Sequence, residues 1–172
     1  MAAGNVRVIK SHYGVQRFRT EANIKLGAKA GDAFMVAGTG TNYVDFVTDG
    51  KPTRGTDIFV GISTGTPDDT AIANTAAADG KIDIELVGPG TILEAKATTT
   101  SNVNTDAKLL GILNDVTNFD RTASTAAGVL TIDETNTTAA KSSTLSLVIV
   151  DGDIVAGTLR VAVQTGFFVS NI

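Results

Sequence analysis

Two carboxylates held close together are the minimum for glycosidase chemistry or for a divalent-ion site. The chain offers several such pairs: Asp68-Asp69, Asp83 with Glu85, Asp133-Glu134, and Asp151 with Asp153. Each has a plainer reading. Asp83 and Glu85 stand two apart in an alternating segment and share its wet face, while Asp151-Gly152-Asp153 lies between two apolar runs and reads as a hairpin turn. No calcium loop with alternating oxygens and a closing Glu occurs, so no metal site is expected. His12 is the sole histidine, and it reads as a surface or subunit-interface residue. Cysteine is absent, which removes thiolate nucleophiles, thiolate metal sites and disulfides together. Gly38-Thr39-Gly40 starts like a dinucleotide fingerprint, but no third glycine follows at the needed spacing and no helix follows, so it reads as a β-turn. Asn136-Thr137-Thr138 matches a glycosylation acceptor and reads as a polar loop. The expectation is a protein that is not an enzyme, with no cofactor and no small-molecule substrate.

The elements that would carry these residues follow a period of two, with Gly, Asp, Asn and Thr punctuating every eight to twelve residues. KIDIELV at 81 to 87 is the clearest strand, entered from Asp79-Gly80 and ended by Gly88-Pro89-Gly90, whose proline has no N–H for a ladder. Further strands are expected at 6 to 9, 23 to 26, 33 to 37, 43 to 47, 58 to 62, 91 to 97, 108 to 113, 128 to 133, 144 to 150 and 158 to 164. Tyr43, Phe46 and Phe59 fall at inward positions and read as core, and Trp is absent, so base-stacking platforms are lacking. Helix is scarce, with one weak candidate over 68 to 78. Residues 114 to 127 and 134 to 143 read as long polar loops. The expected class is all-β, a small β-barrel or β-sandwich of β-tulip type, because about ten short strands exceed what one flat sheet handles well.

A chain of 172 residues supports one domain with a real core. Its charge is unevenly spread. Residues 1 to 29 hold six basic residues against Glu21 alone, a net +5, while the remaining 143 hold 8 bases and 17 acids, a net of −9. This divides the chain into an extended basic arm, 1 to 22, and a single acidic domain, 23 to 172. The arm's Arg7, Lys10, Tyr13, Arg17, Phe18 and Arg19 are the candidates for gripping a neighbouring protein. Nucleic acid is not expected as a partner, since the arm's bases are not clustered and the body would repel phosphates. The first thirty residues lack the apolar stretch of a secretory signal, and LSLVIV at 145 to 150 is far short of a membrane span, so a soluble protein made in the cytoplasm, with no membrane partner, is expected.

Residues 24 to 98 resemble the small barrel of tailed-phage capsid decoration (cement) proteins. The resemblance is carried by LGAKAGDAFMVAG at 26 to 38, DGKPTRGTDIFVGISTGT at 49 to 66 and DGKIDIELVGPGTILEAKAT at 79 to 98. It rests on a Gly-rich opening, a Val-Gly-Ile strand, an alternating strand and a glycine turn. It implies a structural virion protein on the outer capsid surface, with the major capsid protein as partner, and self-association as a homotrimer. Phe167 and Phe168 are adjacent in the apolar stretch VAVQTGFFV and cannot both face one core, which makes them candidates for the oligomer contact. A head-fibre, tail or baseplate component would share the composition, and a carbohydrate-binding sandwich is a further alternative, although it would normally expose Trp or Tyr.

Overall fold

Ile82 and Ile84 are fully buried while Asp83 and Glu85 between them reach solvent, so the alternation read from KIDIELV is realised as a strand, Lys81–Leu86. A computed structural model of the chain describes residues 6–21, 30–36, 43–48, 50–53, 57–65, 80–121, 129–139 and 147–164. In chain order the strands are β1 (Arg7–Lys10), β2 (Val15–Arg19), β3 (Ala33–Val36), β4 (Asp45–Phe46), β5 (Ile58–Ser63), β6 (Lys81–Leu86), β7 (Ile92–Lys96), β8 (Asp115–Thr117), β9 (Phe119–Arg121), β10 (Leu130–Ile132), β11 (Thr138–Ala139), β12 (Leu147–Asp153) and β13 (Thr158–Val163). Among the described residues a 3-10 turn, Thr100–Asn102, and a short helix, α1 (Asp106–Leu110), precede β8.

The protein is all-β, and its described residues form three antiparallel sheets. A six-stranded sheet has the order β1-β7-β13-β12-β8-β11, a five-stranded sheet the order β2-β6-β5-β3-β4, and β9 pairs with β10 alone. The described strands do not close into a barrel. They share a core instead: Leu93, Leu147, Ile149 and Val161 from the six-stranded sheet meet Met35, Phe59 and Ile62 from the five-stranded one, with Phe119 and Leu130 of the third sheet. Phe59 and Phe119 meet edge to face at 5.7 Å. The five-stranded sheet buries its opposite face as well, in a second cluster of Phe34, Phe46, Val60, Ile82 and Ile84. Gly61 marks the closest approach in that sheet, since a Cβ there would stand 2.0 Å from the Glu85 carbonyl oxygen.

Four expectations are corrected. The segment 1 to 22 is not an extended arm over its described part. β1 pairs with β7 and β2 with β6, because Val8 and Phe18 each have an apolar core to enter and the backbone ladders are satisfied within the chain. KLLGIL at 108 to 113 is helix and turn rather than strand. Thr105 caps it by accepting from the Lys108 N–H, and Leu109, Ile112 and Leu113, at helical spacing, turn toward the core while Leu110 is exposed. Asp151 and Asp153 belong to β12, and the turn lies beyond them at 154 to 157, where Gly157 takes a positive φ of 63°. Gly152 is needed for packing, as a Cβ there would fall 2.9 Å from a Leu109 methyl. Finally, the stretch read as a loop from 114 contains β8 and β9, whose Thr117, Phe119 and Arg121 are buried, and β11 lies within the second presumed loop. The strand expected at 23 to 26 and the helix candidate at 68 to 78 lie outside the described residues.

Candidate functional site

The six-stranded sheet turns one face to the core and the other outward, and across that outer face the strand registers align one row of charges. Arg7 of β1 is opposite Glu94 of β7, Glu94 is opposite Arg160 of β13, and Arg160 is opposite Asp151 of β12. Arg7 Nη2 donates to Glu94 Oε1 at 2.6 Å, Arg160 Nε donates to Glu94 Oε2 at 2.9 Å, and Arg160 Nη1 donates to Asp151 Oδ2 at 2.7 Å. The signs alternate across four strands. Glu94 is 5% exposed at its side chain, whereas Arg7 and Asp151 at the two ends are 60% and 54% exposed. Hydrogen bonds to Glu94 first, then to Asp151, raise the Arg160 pKa above its ordinary value. The next row along the strands is Lys10, Ile92, Ala162 and Val148. Between the two rows each outermost of these four strands carries a bulge, at Ile9 in β1 and at Val150 in β12, and both residues are exposed.

The edge formed by β2 and β6 is the second charged surface. Its outward pairs are Val15 with Glu85, Arg17 with Asp83, and Arg19 with Lys81. Arg17 grips Asp83 through two bonds, Nε to Oδ1 at 2.7 Å and Nη2 to Oδ2 at 2.9 Å, which holds the Asp83 carboxyl below the usual carboxylate range. Arg19 and Lys81 are like charges directly across from each other, both exposed, an arrangement that is destabilising in isolation.

Five of the six residues assigned to the arm are therefore divided between two sheets. Arg7 and Lys10 lie on the six-stranded sheet. Arg17 and Arg19 lie on the five-stranded one, where Phe18 points the other way and packs on the second core. Tyr13 sits in the link between β1 and β2, its hydroxyl donating to the Pro89 carbonyl at 2.8 Å. Phe167 and Phe168 lie outside the described residues. His12 is exposed. Of the acid pairs, Asp83 is held by Arg17. Glu134 Oε1 accepts from the Thr99 N–H and from Asn102 Nδ2, both at 3.0 Å, and Asp133 Oδ1 caps the following turn through the Thr135 N–H at 2.9 Å. Asp153 Oδ1 accepts from Val155 and Ala156 N–H groups, each at 2.9 Å, which lowers its pKa. Asp68-Asp69 and Gly38-Thr39-Gly40 lie outside the described residues. Among the described residues no three His, Cys, Asp or Glu side chains gather as a metal site, and no helix is long and apolar enough to cross a membrane.

Sequence reasoning missed Glu94, Arg160, Ile9 and Val150, and it read Asp151 as a turn residue. It also missed an internal ion pair. Arg121 Nη2 stands 3.5 Å from Asp32 Oδ1 with both side chains fully buried, its Nε donates to the Val47 carbonyl at 2.7 Å, and its guanidinium lies 5.1 Å from the Phe46 ring centre. Burial pulls the Arg121 pKa down and the Asp32 carboxylate opposes it. This group bolts the two-stranded sheet to the five-stranded one. Two open clefts, of about 310 and 380 Å3, lie beside the β12–β13 turn and between β1 and the β5–β6 region. In the first, the Lys96 ammonium is engaged by the Ala156 carbonyl. Comparison with protein-family models, curated proteins and solved structures gives no match.

Proposed function

We propose that this chain is a structural, non-catalytic virion protein that binds the outer surface of a tailed-phage capsid and stabilises it by bridging major capsid protein subunits. The observation that carries the proposal is the β2–β6 edge, where Arg19 and Lys81 repel each other across one register position beside the exposed Arg17 and Val15. An acidic protein surface laid over that edge relieves the repulsion, and Val15 adds apolar contact. The sequence resemblance supports the same reading: the described parts of its three stretches form β3, β5 and β6, which lie side by side, and then cross into β7. Self-association as a trimer belongs to this proposal through the resemblance alone. A ligand that prefers the assembled shell stabilises it by about 2.7 kcal/mol per site at a hundredfold excess over Kd, and attachment at several points adds avidity.

The test strips decoration from particles and adds back purified protein, recording the temperature of particle disruption by calorimetry. Saturating wild-type protein raises that temperature, and the Arg19→Glu/Lys81→Glu variant, folded by circular dichroism, does not. An unchanged temperature with bound wild-type protein would reject the stabilising role, and full decoration by the variant would reject the β2–β6 edge as the contact.

A further inference from the structure

The charge row on the six-stranded sheet has a property that no single chain uses: read backwards, it is its own complement. Plus, minus, plus, minus across β1, β7, β13 and β12 becomes minus, plus, minus, plus when the sheet is turned about an axis parallel to its strands and midway between β7 and β13. We infer that this face pairs with the same face of a second copy of the chain through that twofold axis.

The geometry fits on three counts. First, the twofold sets Arg7 against Asp151 of the second copy, and Asp151 against its Arg7. These are the two exposed ends of the row, whereas the buried Glu94 is already shared between two arginines. A twofold running along the row would set like charge on like charge, so the alternation selects one symmetry. Second, the bulges obey the same axis. Ile9 on β1 and Val150 on β12 lie between the same two rows on opposite outer strands, and the twofold brings Ile9 of one copy over Val150 of the other. They are two of only six large apolar side chains exposed among the described residues. Third, in the neighbouring row Ile92 meets Ala162 near the axis, and Lys10 lays its stem along Val148 with its ammonium at the rim. The inference does not rest on capsid binding, which the β2–β6 edge carries.

The absence of cysteine makes the test direct. Ile9 and Val150 of one chain are separated by three strand spacings, roughly 14 Å along the sheet, whereas across two sheets packed face to face, about 10 Å apart, their side chains point at each other. That gap is wider than the 7 Å or so that a disulfide spans between Cα atoms, so a short bifunctional thiol reagent is used, long enough to join facing side chains and too short to reach along three strands. In the full-length Ile9→Cys/Val150→Cys variant it yields a covalent dimer on a denaturing gel, rapidly and nearly completely. Ile9→Cys alone and Val150→Cys alone stay monomeric under the same treatment, because the axis holds each residue away from its own copy. Sedimentation equilibrium of the cysteine-free chain shows reversible association, which Ile9→Asp and Val150→Asp each weaken at least tenfold and Leu110→Asp, on α1, leaves unchanged. Cross-linking of the single variants as fast as the double, no cross-link in the double, or association indifferent to Ile9→Asp and Val150→Asp would each overturn the inference.

Discussion

β1 and β2 come from one basic stretch of sequence, separated only by Ser11 to Gly14, yet they join different sheets and are held there by different forces. β1 is an edge of the six-stranded sheet. Its apolar contribution is Val8, part-buried against the main core, and its charge Arg7 meets Glu94, a carboxylate shielded from water and fixed by a second arginine. β2 is an edge of the five-stranded sheet, where Phe18 supplies a large side chain to the second core while Arg17 pairs with Asp83 in the open, the two side chains being 51% and 40% exposed. The lesson is that a basic segment gains its structural value from the partner's environment rather than from its own charge. A carboxylate held out of water is left as an uncompensated buried charge when its partner is lost, whereas an exposed pair exchanges one hydrated state for another.

The largest single loss on either strand should appear in packing. Phe18→Ala is expected to cost about 2–3 kcal/mol, below the range for a fully buried phenylalanine because Phe18 is only part-buried, and Val8→Ala about 1 kcal/mol. Urea unfolding of the two variants checks this. Equal losses would mean that β2 is no better anchored by its apolar side than β1.

The order reverses for charge. Glu94→Ala is expected to cost about 2 kcal/mol, since it removes charge-assisted hydrogen bonds from two arginines at once. Asp83→Ala should lie close to wild type at neutral pH. If Asp83→Ala proved the more damaging of the two in the same unfolding experiment, partner burial would not be what distinguishes the strands.

How far the sequence discloses this arrangement depends on whether a feature is local. The alternation of Ile82, Ile84 and Leu86 places β6 correctly, and Gly88-Pro89-Gly90 ends it, with Gly90 at a positive φ of 83°. β2 escapes because its inward side is Gln16 and Phe18, one polar and one apolar residue, so the period of two hardly registers. Counting charge then made an arm of what is woven into both sheets. KLLGIL misleads because Leu109, Ile112 and Leu113 fit a helix as well as Lys108 to Leu113 fit a strand, and only the Thr105-Asp106 start signal decides. β8 and β9 are too short and too rich in polar residues to announce themselves, since Thr117 and Arg121 are buried through hydrogen bonds rather than apolar contact. The charge row is the least legible feature. Residues 7, 94, 160 and 151 have no sequence spacing in common, and only the registers of four strands place them in line.

The smallest expected effect concerns the exposed pair on β2, and pH isolates it. Arg17 donates two hydrogen bonds to Asp83, so the folded state holds this carboxyl below its ordinary value of 3.8. A carboxyl whose pKa is depressed on folding binds its proton more readily in the unfolded chain, so its contribution to stability is present above the ordinary value and disappears as pH falls through the folded one. Wild type should therefore exceed Asp83→Asn slightly at pH 7, and the difference should shrink toward zero as the medium is taken below about pH 4 and through the depressed value. Arg17→Gln should remove the same acid-side component. It should leave that of Asp153, which is depressed mainly by the Ala156 and Val155 N–H groups on a different sheet. Unfolding measured at several pH values down to 2, in low salt, reads the difference directly, and the same series in 1 M salt should compress it, since screening then reaches to about 3 Å. A difference that persisted at the acid end would show that Asp83 stabilises β2 through something other than its charge, and the contrast with β1 would then rest on Phe18 alone.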